Sequence, residues 1–136
     1  MKNSVAILFV LLLFGSAFAD YAASPISFKV QGRDLKVSGA VLCYKNPFNP
    51  SVGESTNITY TLSNNADISI YIYNIIGQLI KKINRSSGTA GGSAGYNEVP
   101  WTGRSDFNEI VGNDVYFVKV VSGGNVLGKC KLAVLK

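Results

Sequence analysis

The sequence predicts an all-β fold, an Ig-like antiparallel β-sandwich of about seven or eight strands that follows a cleaved N-terminal signal peptide. Three observations predict it. Apolar residues recur at every second position through most of the chain, which is the period of a half-buried strand. Turn-forming residues separate these runs at short intervals. No segment carries an apolar stripe at helical spacing.

The first nineteen residues read as an address. Lys2 supplies a positive start, Val5 to Phe14 is an unbroken apolar run, and Ala17 and Ala19 occupy the small-residue positions of a cleavage site. The run is shorter than the roughly 20 residues a membrane-spanning helix needs. Cleavage is expected before Asp20. No second such stretch follows, so no transmembrane segment is expected in the mature chain. Residues 20–42 form an N-terminal extension or the first strands: ISFKV and DLKVSGAVL alternate around Gln31-Gly32-Arg33.

The strands that follow are denser. Ile58, Tyr60 and Leu62 alternate with Asn57, Thr59 and Thr61. Ile68, Ile70 and Ile72 alternate with Ser69, Tyr71 and Tyr73. Tyr116, Val118 and Val120 share a face opposite Lys119. In the last segment Val126, Cys130, Leu132 and Val134 point one way, against Leu127, Lys129 and Lys131. Asn64-Asn65 and Ile76-Gly77-Gln78 mark turns, Gly77 being suited to a positive φ. Ser122-Gly123-Gly124-Asn125 marks a hairpin. Residues 86–96 are rich in Gly and Ser and predict a mobile surface loop. They lack the GK[ST] of a phosphate cradle.

Composition removes several functions. Among 136 residues there is no His, which excludes His-dependent triads, His-ligated zinc and His proton shuttles. Asp106, Glu109 and Asp114 share one loop but match no EF-hand spacing and read as solvated acids. The other acids are spread along the chain, so paired-carboxylate chemistry is not expected. The chain reads as a non-enzyme with no cofactor and no metal. Its net charge of +5 is carried by dispersed residues, with Lys81-Lys82 the only adjacent pair, so no nucleic-acid partner is expected. Cys43 and Cys130 are the two cysteines. An even count in an exported chain favours a disulfide between them, the alternative being two buried free thiols.

One ordered set of motifs remains. Asn46-Pro47-Phe48-Asn49-Pro50 leads into a strand. The prolines fix φ and remove two backbone donors, Phe48 can plug the end of a sandwich, and Asn46 and Asn49 can close Asx turns. Further along come Tyr73 to Gly77, then Trp101-Thr102-Gly103-Arg104, then Val115-Tyr116-Phe117, then an apolar-Lys terminus ending at Lys136. Trp101 reads as a core or rim residue. Over residues 43–136 this series resembles the C-terminal sorting domain (type A) of bacterial type IX secretion cargo and, equally, the Ig-like domain of the flagellar hook-cap protein. The chain departs from the usual pattern at Lys45, Asn74, Gln78, Thr102 and residues 112–114, none of which breaks a strand.

The resemblance implies a secreted or bacterial cell-surface protein that reaches its place through the periplasm. Its partner would be secretion or outer-surface machinery, and no cargo enzyme separates the leader from the domain. A structural or adhesive cell-surface subunit, binding a protein or glycan partner with strand addition as one available mode, is the other function class these features allow. They leave the oligomeric state open.

Overall fold

The computed structural model describes residues 35–136. The expected signal peptide and the first part of the 20–42 stretch lie outside the described residues. Among the described residues there are seven strands: β1 (Leu42–Tyr44), β2 (Thr56–Leu62), β3 (Ile68–Tyr73), β4 (Leu79–Arg85), β5 (Gly95–Trp101), β6 (Asp114–Ser122) and β7 (Asn125–Val134). They form two antiparallel sheets, β1-β2-β5 and β4-β3-β6-β7, stacked as a sandwich of the Ig-like kind.

The alternation builds the core directly. Ile58, Tyr60 and Leu62 of β2 and Val99 and Trp101 of β5 face Ile68, Ile70 and Ile72 of β3, with Tyr116, Val118 and Val120 of β6 and Leu132 and Val134 of β7 beside them. All are buried. Each such side chain contributes roughly 1.5–3 kcal/mol of burial. Val37 and Val41, ahead of β1, pack on the same core. Two buried polar side chains lie in it. Asn97 donates to the carbonyls of Ser93 and Gly95, whereas the Thr56 hydroxyl has no hydrogen-bond partner.

Cys43 on β1 and Cys130 on β7 are bridged, with Cα atoms 6.4 Å apart and a separation of 87 positions in sequence. The bond joins the edge strand of one sheet to the edge strand of the other, and the free-thiol alternative falls away.

Two expectations change. Strand β7 contains a bulge: Val120 pairs with Gly128 but Val121 pairs with Val126, so Leu127 is extra. Before the bulge the phase reverses, leaving Val126 51% exposed and turning Leu127 against the core. The second is the Gly/Ser-rich segment, which folds as a compact hydrogen-bonded loop rather than a loose one. Ala66 N–H and Gly88 N–H both donate to the Gly92 carbonyl, and Gly92 N–H donates to Thr89. The buried Tyr60 hydroxyl donates to the Gly91 carbonyl at 2.6 Å. A Cβ on Gly92 would lie 2.2 Å from the Ser86 carbonyl oxygen, so glycine serves close approach here, not flexibility. Tyr96 belongs to β5.

Parts of two of the four sheet edges, on β4 and β7, are covered, and a third, β5, carries a proline. Asp106 N–H donates to the Ile80 carbonyl on β4, and its carboxylate accepts from Lys82 N–H. Pro100 on β5 has no N–H to offer an added strand. The end of β7 is paired in parallel with Phe48, whose N–H donates to Ala133 and whose carbonyl accepts from Leu135.

Candidate functional site

The strand registers place the motif residues at one end of the sandwich. Thr56 pairs with Trp101, Asp114 with Val134, and Tyr73 with Phe117. The segments that enter or leave there are 45–55, 74–78 and 102–113.

Phe48 is the centre of this end. It is 2% exposed and meets the Trp101 ring edge-on, with centroids 5.7 Å apart. Trp101 in turn meets Tyr116 edge-on at 5.7 Å. Such aromatic pairs add about 0.5–1.5 kcal/mol beyond their area. The Trp101 indole N–H donates to the Arg104 carbonyl, which holds the 102–113 loop to the core. The Tyr116 hydroxyl donates to the Gly112 carbonyl, and burial pushes its pKa upward. Gly103 has φ 69°, and a Cβ there would sit 2.5 Å from Pro50. Pro50 and Gly103 are therefore a matched pair.

The flanking polar groups fix the chain path. Asn49 caps the 3-10 turn Pro50–Val52, its side chain accepting from Ser51 N–H. Asn49 N–H donates to the Glu54 carboxylate, which also pairs with Lys45 at 2.6 Å. The Lys45 ammonium and the Asn49 amide hold the Glu54 carboxyl below the usual carboxylate range. The peptide bond between Asn46 and Pro47 is cis. Asn46 does not close a local Asx turn. Its amide group imitates a strand: Nδ2 donates to the Lys131 carbonyl and Oδ1 accepts from Ala133 N–H. Asn46 thereby covers the edge of β7.

Gly77 sits at φ 84° in the β3–β4 turn, where Asn74 accepts from Gln78 N–H. Lys136 is exposed, and its N–H donates to Asn113. Tyr73 stands apart from the cluster, half-buried on the outer face of the four-stranded sheet. Around this end large apolar side chains are left in water: Val52, Ile75 and Leu135 are exposed, with Ile76 at 81% and Phe107 at 87%.

Among the described residues no three His, Cys, Asp or Glu side chains come together, and Asp106 is paired with Lys81 at 3.2 Å. A concavity of about 700 Å³ is lined by Tyr73, Asn74, Phe117, Lys119, Lys129 and Lys131 among others, and none of its lining residues is an acid. Its lysines are dispersed in sequence and gathered by strand pairing. Their alternation in YFVKV and GKCKL was the available signal; cross-strand register, which makes them neighbours, was not.

No protein-family model and no curated protein matches the chain. Solved structures do match in fold. Dimeric latent PorU from Porphyromonas gingivalis aligns with a TM-score of 0.55 at 18% identity, covering 74% of this chain and 9% of PorU. An immunoglobulin-like protein from Pseudomonas aeruginosa aligns with a TM-score of 0.50 at 12% identity, covering 75% of this chain and 97% of that protein. PorZ, a surface component of the type IX secretion system of Porphyromonas gingivalis, aligns with a TM-score of 0.48 at 22% identity over 71% of this chain. The chain spans only about a tenth of PorZ and PorU. At these identities the shared property is the Ig-like sandwich.

Proposed function

We propose that this chain is an exported, non-enzymatic Ig-like domain that is directed to, or held at, the bacterial outer surface by type IX-like machinery. One observation carries the reading. Most of the motif pieces, spread over some ninety residues of sequence, meet at one end of the fold. Phe48, Pro50, Trp101, Gly103 and Tyr116 form its packed floor, while Ile76 and Phe107 stand out from it as exposed apolar groups. The buried motif residues shape the end, and the exposed groups offer a partner its apolar contacts. The covered stretches of β4 and β7 are closed to strand addition.

The test is a fluorescent reporter carrying this chain's residues 33–136 at its C-terminus behind an export leader, in a bacterium with a working type IX system. Surface display of the reporter is expected. Display should be lost in the I76S/F107S variant, which leaves the floor intact. A reporter that stays in the periplasm with the unaltered domain contradicts the proposal.

A further inference from the structure

The outer face of the four-stranded sheet carries four lysines and three aromatic rings in register. Lys82 on β4 pairs with Tyr71 on β3, Tyr71 with Lys119 on β6, and Lys119 with Lys129 on β7. One row over, Tyr73 pairs with Phe117 and Phe117 with Lys131. No acid occupies an outward position on these strands. Among the described residues none of the four lysines has a carboxylate partner, the ion pairs there being Lys45–Glu54 and Lys81–Asp106.

Lys119 and Lys129 stand directly opposite each other, an arrangement of like charges that works against the sheet. No carboxylate among the described residues pairs with either of them, and an anion lying between the two ammonium groups would offset the repulsion. The rings hold cations: Lys82 Nζ lies 5.3 Å over Tyr71, Lys119 Nζ 5.0 Å over Tyr73, and Lys131 Nζ 5.9 Å over Phe117. Tyr71 and Tyr73 also stack on each other, 6.3 Å apart. With a lysine over one face of each ring, the rings are less open to the base stacking that single-strand nucleic-acid binders use. An apolar protein partner is better served at the Phe48 end, where the exposed apolar side chains are. The shallow groove beside Tyr73 and Phe117 instead suits a chain that carries repeated negative charges and meets several lysines at once.

We propose that this face binds an anionic polysaccharide through Lys82, Lys119, Lys129 and Lys131. The proposal is independent of the secretion reading, since it concerns a different surface and is measured on purified protein.

Polygalacturonate is the probe, with dextran as its uncharged counterpart and oligothymidylate as the nucleic-acid comparison. Protein recovered from expression of the full chain should bind polygalacturonate in low salt, bind dextran not at all, and release polygalacturonate as salt is raised. The K119Q/K129Q/K131Q variant should bind roughly tenfold or more weakly, while K36Q, away from the face, should bind as the parent does. These positions are at the surface, and an unchanged circular dichroism spectrum and melting curve at high salt will show that the variants fold. In low salt K129Q alone should melt higher than the parent, and polygalacturonate should raise the parent's melting temperature. Absence of polygalacturonate binding, equal binding by the triple variant, equal binding of dextran, or tighter binding of oligothymidylate would each overturn the proposal.

Discussion

The Phe48 ring meets the Trp101 indole edge-on at 5.7 Å, closing one end of the sandwich from a segment that crosses between its two sheets. Phe48 pairs in parallel with Val134 of one sheet, and Trp101 belongs to β5 of the other. Phe48→Ala should therefore cost about 3–5 kcal/mol, the range for a buried Phe, read as a lower midpoint in urea. Gly103→Ala should also destabilise, since it places a Cβ on Pro50 at a positive φ. A second measurement of indole fluorescence should show Trp101 more solvated in F48A.

The Cys43–Cys130 bridge closes a loop of 87 residues. In the loop-entropy account such a closure is worth roughly 4 kcal/mol. The C43A/C130A variant should unfold at a lower denaturant concentration by about that margin. Equal stability of the two forms would mean that the unfolded chain is already compact across this span.

Thr56 is fully buried and its hydroxyl has no partner. Removing an orphaned hydroxyl from an apolar core relieves its desolvation cost. Thr56→Val keeps the shape and should stabilise the domain by about 1 kcal/mol, measured by chemical denaturation. Loss of stability in this variant would mean that the hydroxyl is satisfied in solution.

Burial pushes the Tyr60 phenol up to about 12, with the nearby Arg85 acting in the opposite direction. The unfolded chain ionises near the ordinary value of 10. The folded-state pKa is the higher one, so the contribution is fully present below pH 10 and is lost as pH rises from 10 toward 12. The melting temperature of the parent should fall through that window more steeply than that of Tyr60→Phe. Phe at this position should be less stable at neutral pH, because the Gly91 carbonyl loses its donor.

Much of the fold was legible because burial on one face writes a period of two into the chain. Ile68, Ile70 and Ile72, and Ile58, Tyr60 and Leu62, read directly as core. The Gly123-Gly124 hairpin was legible because both residues need a positive φ. The β7 bulge was not, since a phase reversal costs one residue and leaves no compositional mark; Val126 and Leu127 are equally apolar. The 86–96 loop was misread because glycine signals flexibility and close approach alike, and only the neighbouring Ser86 and Ala66 carbonyls decide between them. At the Phe48 end, the packing roles of Phe48, Trp101 and Gly103 followed from residue type and motif. The reach of Asn46 to Lys131 and Ala133 did not, because it depends on where β7 lies.

The proposed function puts this domain to work outside the cell. Its most direct test is the location and intact mass, without reductant, of the protein recovered from the surface, medium, periplasm and cytoplasm of its native host. Material is expected at the surface or in the medium that begins at Asp20 and is lighter by two hydrogens for the Cys43–Cys130 bond. A chain still beginning at Met1 with both thiols free, held in the cytoplasm or stopped in the periplasm, would contradict it.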